Sequence, residues 1–362
     1  MKQSEIIKMS DLYTNYLMVA DGLTTATEFS SITNGEYSHD QLTTLLAEGE
    51  VFNPKTLWKS VKPFVRKFQN EEDGILTFDD TIVDKEYTDE NGFVSKFYDH
   101  SKNKYVNGVN ILTAYYSANG FSCPVGVSFM EKEKDKNGNY KQIKTKNEEL
   151  REMVVRAVYN EIPFSYVLAD SWYATKENME FIKKKLNKNF IFSCQNNRLF
   201  ANSELDLANG NFVNIKDVTI KNGESKKGFL KGIPFPILLI RFDYPSSKEH
   251  VGGIVYLVTS DLELSNKNTT TIYRKRWKVE EYHKSLKQNA SLGKMPAKTK
   301  MTQQSSLCAS LIAFVKFECL RISGKLNHFA MKQRIRIEKI KTGMAELKKM
   351  KKGISVPDLC FA

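Results

Sequence analysis

Four residues of different chemistry recur at helical spacing late in the chain: Tyr273, Arg276, Glu280 and Lys287, the last three offset from the one before by three, four and seven positions. At ~100° per residue, Arg276, Glu280 and Lys287 fall about 60°, 20° and 40° from Tyr273, on one side of an α-helix. A stripe carrying a phenol, a guanidinium, a carboxylate and an ammonium makes a poor core face. It suits phosphate and metal: the carboxylate can hold a divalent cation while the cations and the phenol grip phosphates beside it. The other reading is a solvated, charge-rich helix. His283 lies one turn beyond Glu280; it could contact phosphate or assist proton transfer, but reads first as a surface histidine.

Phosphoryl chemistry of that kind needs further acids from elsewhere in the chain. Residues Gly74 to Val83 read G-I-L-T-F-D-D-T-I-V, an apolar, β-prone run with two adjacent aspartates inserted. Carboxylates in such a run are expensive unless paired or bound to metal. Neighbouring strand residues face opposite ways, so one of Asp79 and Asp80 can point into a given site. A second candidate stands in F-S-Y-V-L-A-D-S-W-Y, Phe164 to Tyr173. There Tyr166 to Ala169 form a short apolar strand with Asp170 at its carboxyl end, where α/β sheets build their sites. Asp170 could instead N-cap the helix that follows.

The segment Y-x2-R-x3-E-x6-K, with every anchor present, resembles the Y-R-E-K signature of bacterial insertion-sequence transposases of the DDE class, the cut-and-paste type. The contexts D-D-T and A-D-S-W-Y resemble that family's first and second aspartate segments. The resemblance covers roughly residues 57–320 and is firmest over 273–287. It implies a catalytic and metal-binding set of Asp80, Asp170 and Glu280, separated by 90 and 110 residues. The family's first aspartate commonly stands directly before a threonine, which favours Asp80 and leaves Asp79 as runner-up. Tyr273, Arg276 and Lys287 would bind DNA at the scissile phosphate. Two Mg²⁺ or Mn²⁺ ions held by the acids would support hydrolysis at the transposon end, then transfer of the freed 3′-OH into target DNA. A DNA endonuclease without strand transfer and a non-catalytic DNA-binding remnant are the alternatives. The implied partners are transposon-end and target DNA and a second copy of the chain, with no membrane; the implied location is the bacterial cytoplasm, at the nucleoid.

Positioning such a set requires strand, strand, helix, the order of a ribonuclease-H-like fold. The local pattern supplies it. After helices at Asp11–Ala20, Thr24–Ser31, His39–Leu46 (N-capped by Ser38) and Leu57–Phe68, strands are expected over 74–83, 108–117 and 121–129, with a polar loop over 84–106. A helix over 147–160, the Asp170 strand with its helix, and a strand over 190–194 follow. Strand-like segments at 212–220, 237–242 and 253–259 make a β-rich insertion ahead of the glutamate helix. A closing apolar helix spans 304–322. The expected class is therefore α/β, a ribonuclease-H-like core with helical N- and C-terminal regions. Its parts are 1–70 (helical, DNA-binding or packing), 71–194 (first part of the core), 195–262 (insertion), 263–322 (glutamate and closing helices) and 323–362 (basic arm).

Composition agrees. With 41% hydrophobic residues in 362, the chain can bury a sizeable core, and no apolar run approaches the ~20 residues of a membrane helix. Five cysteines without C-x-x-C spacing argue against structural zinc. The net charge is +12, yet residues 1–50 carry two lysines against eight acids, leaving +18 for the remainder. That surplus favours a polyanion such as DNA through counterion release.

Overall fold

A computed structural model gives the structure and describes residues 1–100, 102–244 and 252–351. In chain order the helices are α1 (Gln3–Val19), α2 (Ala26–Ile32), α3 (His39–Glu48), α4 (Pro54–Phe68), α5 (Lys146–Tyr159), α6 (Lys176–Glu180), α7 (Glu204–Asn209), α8 (Asn266–Arg274), α9 (Trp277–Asn289), α10 (Lys300–Gly324) and α11 (His328–Lys351). The strands are β1 (Ile75–Asp84), β2 (Ser95–Asp99), β3 (Lys104–Ala118), β4 (Phe121–Phe129), β5 (Lys132–Lys134), β6 (Tyr140–Gln142), β7 (Tyr166–Ala169), β8 (Asn189–Cys194), β9 (Leu199–Ala201), β10 (Val213–Asn214), β11 (Ser225–Leu230), β12 (Ile237–Tyr244) and β13 (Gly253–Thr259).

The chain divides into two compact units. The first takes Met1–Val51, Ser285–Ala297 and Met301–Ala362, and its described part is helical. Capping chemistry sets its helix starts: Thr25 accepts from the Glu28 N–H, and Ser38 and Gln41 form a reciprocal capping box. Tyr13 and Phe29 meet edge to face at 5.7 Å in its core, alongside the fully buried Leu42 and Leu46.

The second unit, Phe52–Lys284 with Lys298–Lys300, holds a mixed sheet of eleven strands. β1 pairs antiparallel with the long β3, whose other edge takes both β2 and β4. On its second side β1 runs parallel to β7, and β7 parallel to β8. This is the α/β, ribonuclease-H-like core the sequence predicts. The β-rich segment does not stand apart from it. β13 pairs antiparallel with β8, and β12, β11, β9 and β10 continue the same sheet outward.

Four local expectations change. The polar loop over 84–106 contains β2, because Phe93, Val94 and Phe97 turn inward. In the segment 212–220 only Val213–Asn214 is strand, followed by a single 3-10 turn. β9, β11 and α7 occupy stretches whose glycines and polar residues mask the pattern. Finally, Tyr273 to Lys287 is not one helix: α8 stops at Arg274 and α9 begins at Trp277. Among the described residues no helix is long and apolar enough to cross a membrane.

Candidate active site

Alternation along β1 separates its two aspartates. Asp79 pairs with Thr113 and Asp80 with Leu112 across β3. On the Asp79 face, Tyr282 of α9 stacks on Tyr115 at 4.7 Å and approaches the Thr113 hydroxyl at 3.5 Å. The Asp80 face looks toward α5 instead. Lys146 Nζ, at the start of α5, lies 2.6 Å from Asp80 Oδ2, and Asn110 Nδ2 donates to the same oxygen at 3.0 Å. The buried Tyr173 hydroxyl donates to Asp80 Oδ1 at 2.8 Å, so both Asp80 oxygens are engaged. Among the described residues, Asp79 Oδ1 accepts from the Asp80 backbone N–H at 3.0 Å, and its Oδ2 is 3.8 Å from His283 Nδ1. Hence the acid facing the glutamate helix is Asp79.

Asp170 follows β7 at its carboxyl end. The last pair in the parallel register is Thr77 of β1 with Leu168 of β7, two residues before Asp79 and Asp170, whose charges act on one another. Asp170 is not the cap of the next helix: Thr175 is, accepting from the Asn178 N–H. The Asp170 carboxylate instead accepts from the Trp172 N–H at 2.9 Å. Crowding of like charges is evident. Burial, then the charges of Asp80 and Asp170, push Asp79 up to about 7 against the pull of Arg276. Burial likewise raises Asp170, with Asp80 adding to it, while the Trp172 N–H and Arg276 oppose the rise.

The break between α8 and α9 redistributes the expected stripe. Arg276 N–H bonds the Tyr273 carbonyl at 2.9 Å in the tight link that joins the two helices. Tyr273, at the end of α8, is buried among Ile75, Leu168, Ile191 and Leu257, with its hydroxyl 3.4 Å from the Ala169 carbonyl. The Arg276 guanidinium lies 5.6 Å from the Tyr273 ring centre, and its Nη2 donates to Glu280 Oε1 at 2.7 Å. Glu280 sits in the first turn of α9. Lys287 is exposed on the same helix, beyond Lys284 in the first unit.

The structure therefore brings Asp79, Asp170, Arg276 and Glu280 to one region over Tyr273. Sequence reasoning passed over Lys146, Tyr173 and Asn110, which bind Asp80 from three separate elements and carry no spacing signal. His283 is buried rather than superficial. Its place one turn from Glu280 was the available clue.

A family model described as "Transposase DDE domain" matches residues 70–315. The chain belongs to this family. The matched span runs from the approach to β1 through α9 and most of α10, so the transposase domain contains every acid described above. Among solved structures, "Drosophila P element transposase strand transfer complex" is similar at 11% identity and a TM-score of 0.14, covering 41% of this chain and 37% of that one. No curated protein matches the chain.

Members of the family use divalent metal, and the residues present fit such a group in donor chemistry. Asp79, Asp170 and Glu280 offer only oxygen, as hard cations require, and desolvated like charges are what a cation relieves. Among the described residues no three of these side chains converge to hold an ion as they stand, since Glu280 is turned to Arg276.

Proposed function

We propose that this transposase cleaves DNA at the ends of a bacterial insertion sequence and joins the freed 3′-OH to target DNA, with Asp79, Asp170 and Glu280 as its acids. The carrying observation is that Asp79 of β1 lies 3.8 Å from His283, one turn from Glu280 on α9, while Asp170 directly follows the neighbouring parallel strand β7. This reading gives Asp80 the role of an anchor, held by Lys146, Asn110 and Tyr173, while Asp79 keeps its open oxygen toward α9. The Y-x2-R-x3-E-x6-K segment supports it, although a break between helices replaces the single stripe.

Two Mg²⁺ or Mn²⁺ ions, when bound, would polarise the scissile phosphate and activate the attacking oxygen. The three carboxylates would hold them. Arg276 changes partner as Glu280 swings toward the aspartates, and its guanidinium, packed on Tyr273, is then available to a phosphate oxygen. Tyr273 itself is a positioning residue, because burial keeps its phenol from DNA. Lys287 would contact the backbone further along α9. Cutting two ends calls for two copies of the chain on DNA, at the nucleoid.

The test is incubation of DNA carrying the element's own ends with Mg²⁺ or Mn²⁺. Nicks at the element boundary and joined products are expected from wild type, and neither from Glu280→Gln. Nicks without joining would reduce the activity to an endonuclease. Specific binding with no cleavage by wild type would make the chain a DNA-binding remnant.

A further inference from the structure

Helices α4 and α5 pack on β3 and β4 without closing over them. α4 buries Leu57, Val61 and Val65, and α5 buries Leu150, Met153 and Val154. Between the helices lies a cleft of about 370 Å³, whose floor includes Ala114 of β3 and Gly126 of β4. These two residues pair across the strands, where the register shifts after Ala114. Their small side chains leave the space open in a structure whose interior otherwise packs with few voids. A Cβ at Gly126 would meet Met153 Cε at 3.5 Å and Ala114 Cβ at 3.8 Å, ordinary contact distances, so the floor has room for bulk that the sequence withholds. Trp58 of α4 and Met153 of α5 line the walls. Exposed Lys55 and Lys59, one helical turn apart, stand at the mouth with exposed Arg156 of the facing helix. Among the described residues no acid lines the cleft, and of its three cations only Arg156 meets a carboxylate, that of Glu149 at 3.5 Å. An apolar cleft of this size with a few convergent polar groups has the composition of a small-molecule site.

We propose that this cleft binds a small aromatic carboxylate. Its ring body, of about two fused rings, rests on Ala114 and Gly126 between Trp58 and Met153, and its carboxylate lies at the mouth among Lys55, Lys59 and Arg156. Volume sets the size, because the space is at the small end of the range for ligand sites and cannot admit a helix of ~10 Å diameter or a DNA duplex. Charge sets the class: three cations and no lining acid attract an anion. The apolar floor narrows it further, since a sugar or a phosphate chain would lie there without hydrogen-bond partners. An indole and a thioether suit a flat ring between them. The occupant would rest on α5, the helix that also supplies Lys146 to Asp80. The inference does not depend on which residues are the acids of the transposase.

The experiment is calorimetric titration of the full chain with 2-naphthoate and with its neutral counterpart, 2-naphthalenemethanol. It compares wild type, Gly126→Val and the double variant Lys55→Gln with Lys59→Gln. Wild type should bind the acid, and the alcohol about threefold to thirtyfold more weakly, the range that a few exposed charge pairs supply. That preference should shrink as salt is raised. Gly126→Val fills the floor and should weaken both ligands by at least about tenfold. It should unfold no earlier than wild type, because a β-branched residue suits a strand. The double variant should lose most of the preference for the acid while binding the alcohol as wild type does. Absence of 2-naphthoate binding by wild type, equal affinity for the two ligands, or undiminished binding by Gly126→Val overturns the site. Should Gly126→Val unfold early, the double variant decides, since it alters exposed side chains alone: an undiminished preference for the acid there overturns the proposal.

Discussion

Two adjacent aspartates receive different fates from a strand's alternation, and this decides most of the chemistry at the residue scale. Asp80 is tied at both oxygens, whereas Asp79 is largely desolvated among like charges. Replacing Asp80 by Asn leaves the Lys146 ammonium without its carboxylate in a half-buried position. The expected result is a less stable protein, by ~1–3 kcal/mol, in thermal or denaturant unfolding. Asp79→Asn removes a desolvated charge that repels its neighbours, so without metal this variant should unfold no earlier than wild type. Tyr273 allows a similar separation of roles. Tyr273→Phe forfeits the phenol's hydrogen bonds with the Ala169 carbonyl and Ser193 and should cost about 1–2 kcal/mol, with DNA affinity unchanged. Tyr273→Ala opens a void among Ile75, Leu168 and Ile191 and should cost about 3–5 kcal/mol. A large loss of DNA affinity in Tyr273→Phe would return the phenol to the DNA-binding role that its spacing suggested.

At the scale of elements, period and caps made much of the fold legible. Phe121–Phe129, Tyr166–Ala169 and Gly253–Thr259 fall at their expected bounds because each is an apolar run flanked by turn residues. Ser38 marks α3 through its capping box. What the sequence hid was tertiary. Nothing local signals that Lys275 and Arg276 interrupt the helix, since neither is Gly or Pro, and the buried Tyr273 anchors α8 separately from α9. The side of β1 that faces α9 was equally hidden, because D-D-T reads the same on either face. Two predictions belong at this scale. Gly49 ends α3 at φ 69°, and a Cβ there would strike the Met301 thioether, so Gly49→Ala should destabilise the first unit by more than about 1 kcal/mol. Lys332 donates to the carbonyls of Met18 and Ala20 at the end of α1, at 2.8 and 2.6 Å. Burial, with help from Lys294 and Lys339, holds its ammonium down to about 8, against the pull of Asp21. The folded form then sheds this proton before the unfolded one does. The cost of the buried charge is fully present below about pH 8 and is relieved as pH rises from there toward 10.5. The unfolding temperature should therefore rise between about pH 7.5 and 9.5 in wild type, and Lys332→Met should flatten that rise.

For the whole molecule, the positive surplus lies outside residues 1–50, and α11 carries a dense share of it. Binding to duplex DNA should weaken steeply and log-linearly with salt, each neutralised phosphate adding about −0.9 to the slope; a flat dependence would remove the backbone contacts from the account. Family membership fixes the transposase domain over residues 70–315, while the acids, the metal and the joining step are proposals open to direct trial. The trial nearest the centre is metal-dependent nicking of DNA bearing the element's ends, compared among wild type, Asp79→Asn, Asp80→Asn and Glu280→Gln. Asp79→Asn and Glu280→Gln are expected to lose nicking while still binding the DNA, and Asp80→Asn to keep a measurable rate. Nicking by Asp79→Asn at the wild-type rate, with none from Asp80→Asn, would contradict this expectation and return the first acid to the α5 face of the sheet.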